Sequence, residues 1–157
     1  MPFFTPDNFS DCSLGLLLGR AAILKDRILD AHLESEGVTA AQFKVLVIIT
    51  QLALDTPAEM CRCLGLDSGS MTRMLDRLEQ KGLIQRQRCP RDRRQVRLVL
   101  TAEGQRLADR LPEVGAKAMN ELVGVLEADE LSTLERLLAK ILLAAGDPMT
   151  VRRFSNR

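Results

Sequence analysis

At 157 residues, 46% hydrophobic and 27% charged, the chain has the length of one ordinary domain and enough apolar side chains to bury a core. No stretch approaches the ~18 uncharged apolar residues of a membrane span. Met1 to Ser10 also lacks the basic start and apolar run of a signal peptide, so the expectation is a cytoplasmic protein with no membrane partner. The formal net charge of +1 hides an asymmetry, because between Thr72 and Arg97 nine basic residues stand against three acidic ones, giving that window +6 and the remainder −5.

The first periodic segment is predicted to start near Asp11, a candidate N-cap, and places Leu14, Leu17, Leu18, Ala21, Leu24, Ile28 and Leu29 at helical spacing before Gly37 ends it. Thr39 and Gln42 form a capping-box pattern ahead of Phe43, Leu46, Val47 and Ile49, which predicts a second helix. Thr56, Pro57 and Glu59 supply a cap, a first-position proline and a first-turn acid for a short third helix that stops near Gly65. Asp67 then caps a fourth helix running to Lys81, terminated by Gly82. That helix has two faces: Met71, Met74, Leu75 and Leu78 make an apolar stripe expected to be core, while Ser70, Arg73 and Arg77 point elsewhere.

After Gly82 the period changes to two. Ile84 alternates with Arg86 and Arg88, and Val96, Leu98 and Leu100 alternate with Arg97, so two short strands are predicted around a basic hairpin tip from Cys89 to Arg94. Thr101 caps a further helix, expected to be interrupted or kinked at Pro112, and a last helix carries Leu131, Leu134, Leu138, Ile141 and Leu142. Gly146 and Pro148 are read as the end of the ordered chain, leaving the tail frayed.

The order is three helices, an outward-facing basic helix, a β-hairpin and two more helices, so the expected fold class is mainly α with a small β-hairpin, a winged helix-turn-helix. One domain spans 1–157, with dimerisation helices at about 11–36 and 102–145, a winged-helix lobe at about 39–101, and a frayed tail at 146–157. The basic window crosses a helix, a hairpin and its loop. A solvated charged face would not need that path, whereas a surface that neutralises DNA phosphates and releases their counterions does. The apolar stripes of the N- and C-terminal helices have no place in so small a lobe and are best buried against a second copy, which predicts a homodimer.

Catalysis is not expected: no nucleophile and base pair, no phosphate-cradling glycine loop and no metal cluster is visible, and Gly65, Gly69 and Gly82 are explained by turns and helix ends. Neither a metal nor a cofactor is predicted, since His32 is the single histidine. Cys12, Cys61, Cys63 and Cys89 lack disulfide-framework spacing and read as reduced thiols. Arg20, set among Leu17, Leu18, Ala21 and Ala22, is a candidate carboxylate-ligand residue near the dimer interface, with an ion pair to the partner subunit as the alternative. His32, on a mostly charged helix end, reads as a surface residue.

Three runs carry a resemblance: Thr39-Ala40-Ala41-Gln42-Phe43-Lys44-Val45-Leu46, Met71-Thr72-Arg73-Met74-Leu75-Asp76-Arg77-Leu78, and Lys81-Gly82-Leu83 followed by Pro90, Asp92 and Arg94. Together they resemble the MarR family in order and spacing from about Leu14 to Leu142. The resemblance implies a homodimeric repressor whose two lobes straddle a pseudopalindromic operator in double-stranded DNA and which a small aromatic or phenolic ligand releases. By position it implies that Ser68, Ser70, Thr72, Arg73 and Arg77 lie on or beside the major-groove face. Arg94 would be the minor-groove arginine of the wing, oriented by Asp92, with Arg91 and Arg93 on phosphates and Arg86 anchoring an acid or a phosphate. Thr72 and Arg86 also match positions where aromatic carboxylates sit in close relatives. The chain departs from the family in having no Trp or Tyr, so an aromatic pocket would be lined by aliphatic residues and Phe43. A thiol-based redox sensor on the same fold is the alternative: Cys12 lies near the reactive position of the peroxide-sensing branch without matching it, and Cys89, beside arginines on the wing, is the better candidate.

Overall fold

The computed structural model describes residues 3–89 and 95–155. After a 3₁₀ turn at Phe9–Asp11 come α1 (Leu14–Leu33), a second 3₁₀ turn (Glu34–Glu36), α2 (Ala40–Leu52), α3 (Pro57–Leu64) and α4 (Ser68–Gln80). Strands β1 (Ile84–Arg88) and β2 (Val96–Leu100) follow, then α5 (Ala102–Val123), α6 (Ala128–Ala144) and α7 (Pro148–Ser155).

Most helix starts form as their side chains dictate. The Thr39–Gln42 and Thr56–Glu59 capping boxes are both closed, and Asp67 and Thr101 accept from the N3 amides of α4 and α5. A helix-to-helix cap adds to the first of these, because Asp30 Oδ1 on α1 accepts from Ala40 N at 2.6 Å. Gly37 and Gly65 leave their helical segments in the left-handed conformation, at φ 66° and 63°.

The core sits where α2, α3 and α4 meet the hairpin and the first half of α5. Leu33, Val45, Leu46, Ile48, Met60, Met71, Leu75, Leu78, Ile84, Leu98 and Leu111 are fully buried, so three members of the predicted α4 stripe are core, and Met74 packs against them half-buried. The strands pair antiparallel with Ile84 opposite Leu100 and Arg86 opposite Leu98. Leu98 N also donates to Asp55 O at 2.7 Å, which ties the segment before α3 to the hairpin.

Three expectations about helix boundaries and the tail are corrected. Asp11 does not cap α1; it lies in the 3₁₀ turn, and Ser13 occupies the N-cap position without a side-chain cap bond. Helix α5 is not interrupted at Pro112: the proline lies on the exposed side, while Leu107, Ala108, Leu111 and Ala118 bury a continuous stripe that holds the helix together. The tail is not frayed over Pro148–Ser155. Gly146 does end α6, but Asp147 Oδ2 then accepts from Thr150 N and Oγ1 at 2.8 and 2.7 Å, and Pro148 starts a helix instead of blocking one. Helix α7 folds back on α2 and α3, with Met149 against the core and Arg152 Nε donating to Leu52 O at 3.3 Å.

Outside the lobe the apolar stripes are bare. Of α1 only Leu29 and Leu33 are buried, α6 buries nothing, and Leu14, Leu17, Leu18, Leu134, Ile141 and Leu142 are exposed. His32 is not a plain surface residue: its Nε2 lies 2.8 Å from Glu121 Oε2 and joins α1 to α5. Among the described residues no helix is long and apolar enough to cross a membrane.

Candidate nucleic-acid interface

Helices α3 and α4 are joined by Gly65, Leu66 and Asp67, and the Asp67 cap sets the direction of α4. Asp67 Oδ1 accepts from Ser70 N at 2.9 Å and Oδ2 from Ser70 Oγ at 2.7 Å, and these bonds hold its carboxyl below the ordinary range. Ser70 Oγ accepts in turn from Arg73 Nη2 at 3.0 Å. Ser70 is therefore half-buried and works within the protein, orienting Arg73, while Ser68, Thr72, Arg73 and Arg77 are exposed on the outward face. The Thr72 hydroxyl donates to Ser68 O at 2.8 Å. Neither Arg73 nor Arg77 has a carboxylate partner among the described residues. Both line a cavity of about 240 Å³ with Thr39, Gln42, Ser70 and Met74, between the start of α2 and α4.

Arg86 on β1 does anchor acids, and both belong to this chain. Its Nη1 lies 2.7 Å from Asp76 Oδ1 and 2.7 Å from Glu79 Oε2, Nη2 donates to Thr72 O at 3.3 Å, and the backbone N donates to Glu79 Oε1 at 3.1 Å. With its guanidinium shared by two carboxylates, Arg86 braces the hairpin against α4. The structure places Arg86 against the Thr72 backbone oxygen, while Arg20 is exposed on α1, an element packed on α2 and α5. Asp76 and Glu79 are functional residues that sequence reasoning passed over; their i, i+3 spacing on one face of α4 was the available signal. Lys81 is a third such residue: its Nζ donates to Gly37 O and, at 2.8 Å, to the buried Gln42 Oε1, tying the end of α4 to the start of α2. Arg97 on β2 pairs with Asp55 at 2.8 Å.

Arg91, Asp92, Arg93 and Arg94 lie outside the described residues. Cys89 closes the described part of the hairpin, its N–H donating to Gln95 O at 2.9 Å. Cys61 and Cys63 are half-buried against the core, and burial, aided by nearby Glu59, pushes the Cys63 thiol above its ordinary range.

An exposed helix with two arginines that no carboxylate among the described residues compensates, capped through its own serine and braced to a basic hairpin, is built for a polyanion groove. The model of the MarR family matches residues 38–96. The multiple antibiotic resistance protein MarR of Escherichia coli is 42% identical over 140 residues, which is 88% of this chain and 97% of that protein. The chain belongs to the MarR family. It is a DNA-binding transcriptional regulator of the winged helix-turn-helix type. Among solved structures, a cysteine-to-serine variant of E. coli MarR complexed with operator DNA is similar at TM-score 0.77 and 41% identity, covering 88% of this chain and 99% of that one. A Mycobacterium tuberculosis MarR family protein in complex with p-aminosalicylic acid is similar at TM-score 0.68 and 27% identity, covering 83% of this chain and 98% of that one.

Proposed function

We propose that the protein is a homodimeric repressor that seats α4 of each copy in successive major grooves of a pseudopalindromic operator and leaves the DNA when it binds a small aromatic or phenolic acid. The observation that carries the DNA reading is the pair Arg73 and Arg77, exposed one turn apart on α4 with no carboxylate among the described residues to neutralise them. Arg86 is spent on Asp76 and Glu79, so its role is to position the wing. The operator complex of the E. coli variant supports the same surface for this chain. Dimerisation is supported by the bare leucines of α1 and α6: Leu17 is 59% and Ile141 55% exposed, too much apolar surface for a helix facing water. Ligand release is supported by the p-aminosalicylic acid complex of the M. tuberculosis relative. Release is then a population shift, requiring that the acid prefer the geometry that does not fit DNA.

The test is affinity for operator and for random DNA, over a range of salt, for Arg73→Ala, Arg77→Ala and Arg94→Ala. The arginine that bridges guanine edges contributes ~1 to 3 kcal/mol of discrimination, so its loss relaxes specificity. Arg94→Ala weakens all sequences alike and flattens the salt slope by about one unit. Unchanged affinity in all three variants would sink the DNA model.

A further inference from the structure

We propose that the cavity between α2 and α7 is a binding site for a single-ring aromatic carboxylate, with Arg153 holding the carboxylate and Phe154 stacking on the ring. The proposal rests on the ligand-release reading above and names its site. The cavity is about 220 Å³, with walls from Val47, Leu52, Met149 and Phe154. That volume is below the ~300–1,000 Å³ of drug-sized pockets, so it suits one ring with small substituents. Of its polar groups, Gln51 is a neutral amide and the Thr150 hydroxyl is already donated to Asp147, which leaves Arg153 as the charged donor. Arg153 has no carboxylate partner among the described residues, so an acid would meet an uncompensated guanidinium beside an aromatic face.

Other cavities fit this ligand less well. The space of about 500 Å³ beside β2 presents Asp55 and no cation. The cavity beside Arg73 and Arg77 has no aromatic wall and lies on the surface proposed to meet DNA. On the α6 side of Phe154 a wider space of about 540 Å³ sets Glu135 beside Arg136 and Lys140, which offsets their charge. The α2–α7 site also has a route to the DNA surface. Helix α7 touches α6 on one side and α2 and α3 on the other, and the Arg152–Leu52 bond closes it on the lobe. A ring wedged between α7 and α2 moves the lobe relative to α6, without occupying the groove-facing surface.

The experiment uses the full chain with p-aminosalicylate and with m-aminophenol, the same ring without the carboxylate. Arg153→Gln is expected to weaken p-aminosalicylate binding at least tenfold, to leave m-aminophenol binding as it was, and to keep operator affinity unchanged in the absence of acid. In the wild type, p-aminosalicylate is expected to shift the Met149 methyl resonance through its ring current. If the wild type sheds operator on adding p-aminosalicylate and Arg153→Gln does so at the same concentration, or the Met149 methyl does not move, the site is wrong and the release reading stands. A wild type that takes up no p-aminosalicylate overturns both.

Discussion

Gly104 occupies the third position of α5, where its N–H donates to the Thr101 cap at 2.9 Å. A Cβ added there would lie 1.8 Å from Leu83 O and 2.9 Å from Leu83 C, both backbone atoms that cannot rotate away. Ordinary C···O contact begins near ~3.3 Å, so α5 must retreat by about 1.5 Å. Retreat breaks the Thr101 N to Leu83 O bond, now 3.1 Å, and the Thr101 hydroxyl bond to Gly82 O. Overpacking costs ~1–3 kcal/mol and each lost hydrogen bond ~1 kcal/mol, against ~1 kcal/mol gained from replacing glycine in a helix. Gly104→Ala is therefore expected to destabilise by ~2–4 kcal/mol, roughly 4–16 °C in Tm for a chain of this size. Gly115, eleven positions along the same helix, is the control: its added Cβ meets Phe43 Cζ at 3.6 Å, an ordinary contact, so Gly115→Ala should stabilise by ~0.5–1 kcal/mol. Circular dichroism melts at one protomer concentration compare the two. A Gly104→Ala midpoint at or above wild type would refute the packing argument.

Arg86→Ala frees the hairpin from α4 and leaves Asp76 and Glu79 uncompensated on the DNA side, so operator affinity should drop at least tenfold while stability changes by no more than ~1 kcal/mol; equilibrium binding and urea titration check the split. Acid should weaken the fold through Asp26 and Glu59. Burial works to raise both carboxyls, but the hydrogen bond from Lys44 and the ion pair with Lys25 at Asp26, and hydrogen bonds from Thr56 and Asp55 to Glu59, outweigh it and hold them below their ordinary values of 3.8 and 4.5. Their contribution is thus complete above the unfolded values and lost as pH falls through the lower native ones, so urea midpoints should fall below pH ~4 and fall less steeply in Glu59→Gln. Cys63, its thiol pushed up by burial, should react with a thiol reagent more slowly at pH 7 than a solvent-exposed cysteine peptide does. Truncation after Glu130 removes most of α6 and should leave insoluble or monomeric protein by sedimentation; a soluble dimer would contradict the proposed interface.

The helix starts at Thr39, Thr56, Asp67 and Thr101 were legible because a cap and its N3 partner are three residues apart and act before any tertiary contact forms. The Met71, Leu75 and Leu78 stripe was legible for a similar reason, since one helical period decides which face can be buried. The segment after Gly146 was ambiguous: Gly-Asp-Pro reads equally as a stop or as a cap followed by a first-position proline, and docking of Met149 on the lobe selects the second. Pairs distant in sequence left no local trace. His32 with Glu121 spans 89 positions and Lys81 with Gln42 spans 39, and neither side chain shows in its own neighbourhood why it should be held. Arg86 lay between the two cases. Its basicity suggested an acid or a phosphate, but only the fold shows that Asp76 and Glu79 reach it first.

These long-range bonds determine how the lobe can move. Asp30 on α1 caps α2, Lys44 on α2 pairs with Asp26 on α1 at 2.8 Å, and Lys81 fastens the end of α4 to Gly37 and Gln42. At the other edge, Leu83 between α4 and β1 is pressed against Gly104 and accepts from Thr101 at the start of α5. Helix α4 is therefore pinned at its C-terminal end to Gly37 and α2 on one side and to the start of α5 on the other, and tilting it alone would break several of these contacts at once. Swinging the whole lobe with α1 and α5 breaks none of them, so the lower-cost motion is of the rigid-body kind. A ligand that regulates DNA binding need not touch α4 to displace it. It need only change how the lobe sits against α6, the one long helix with no buried residue of its own among those described.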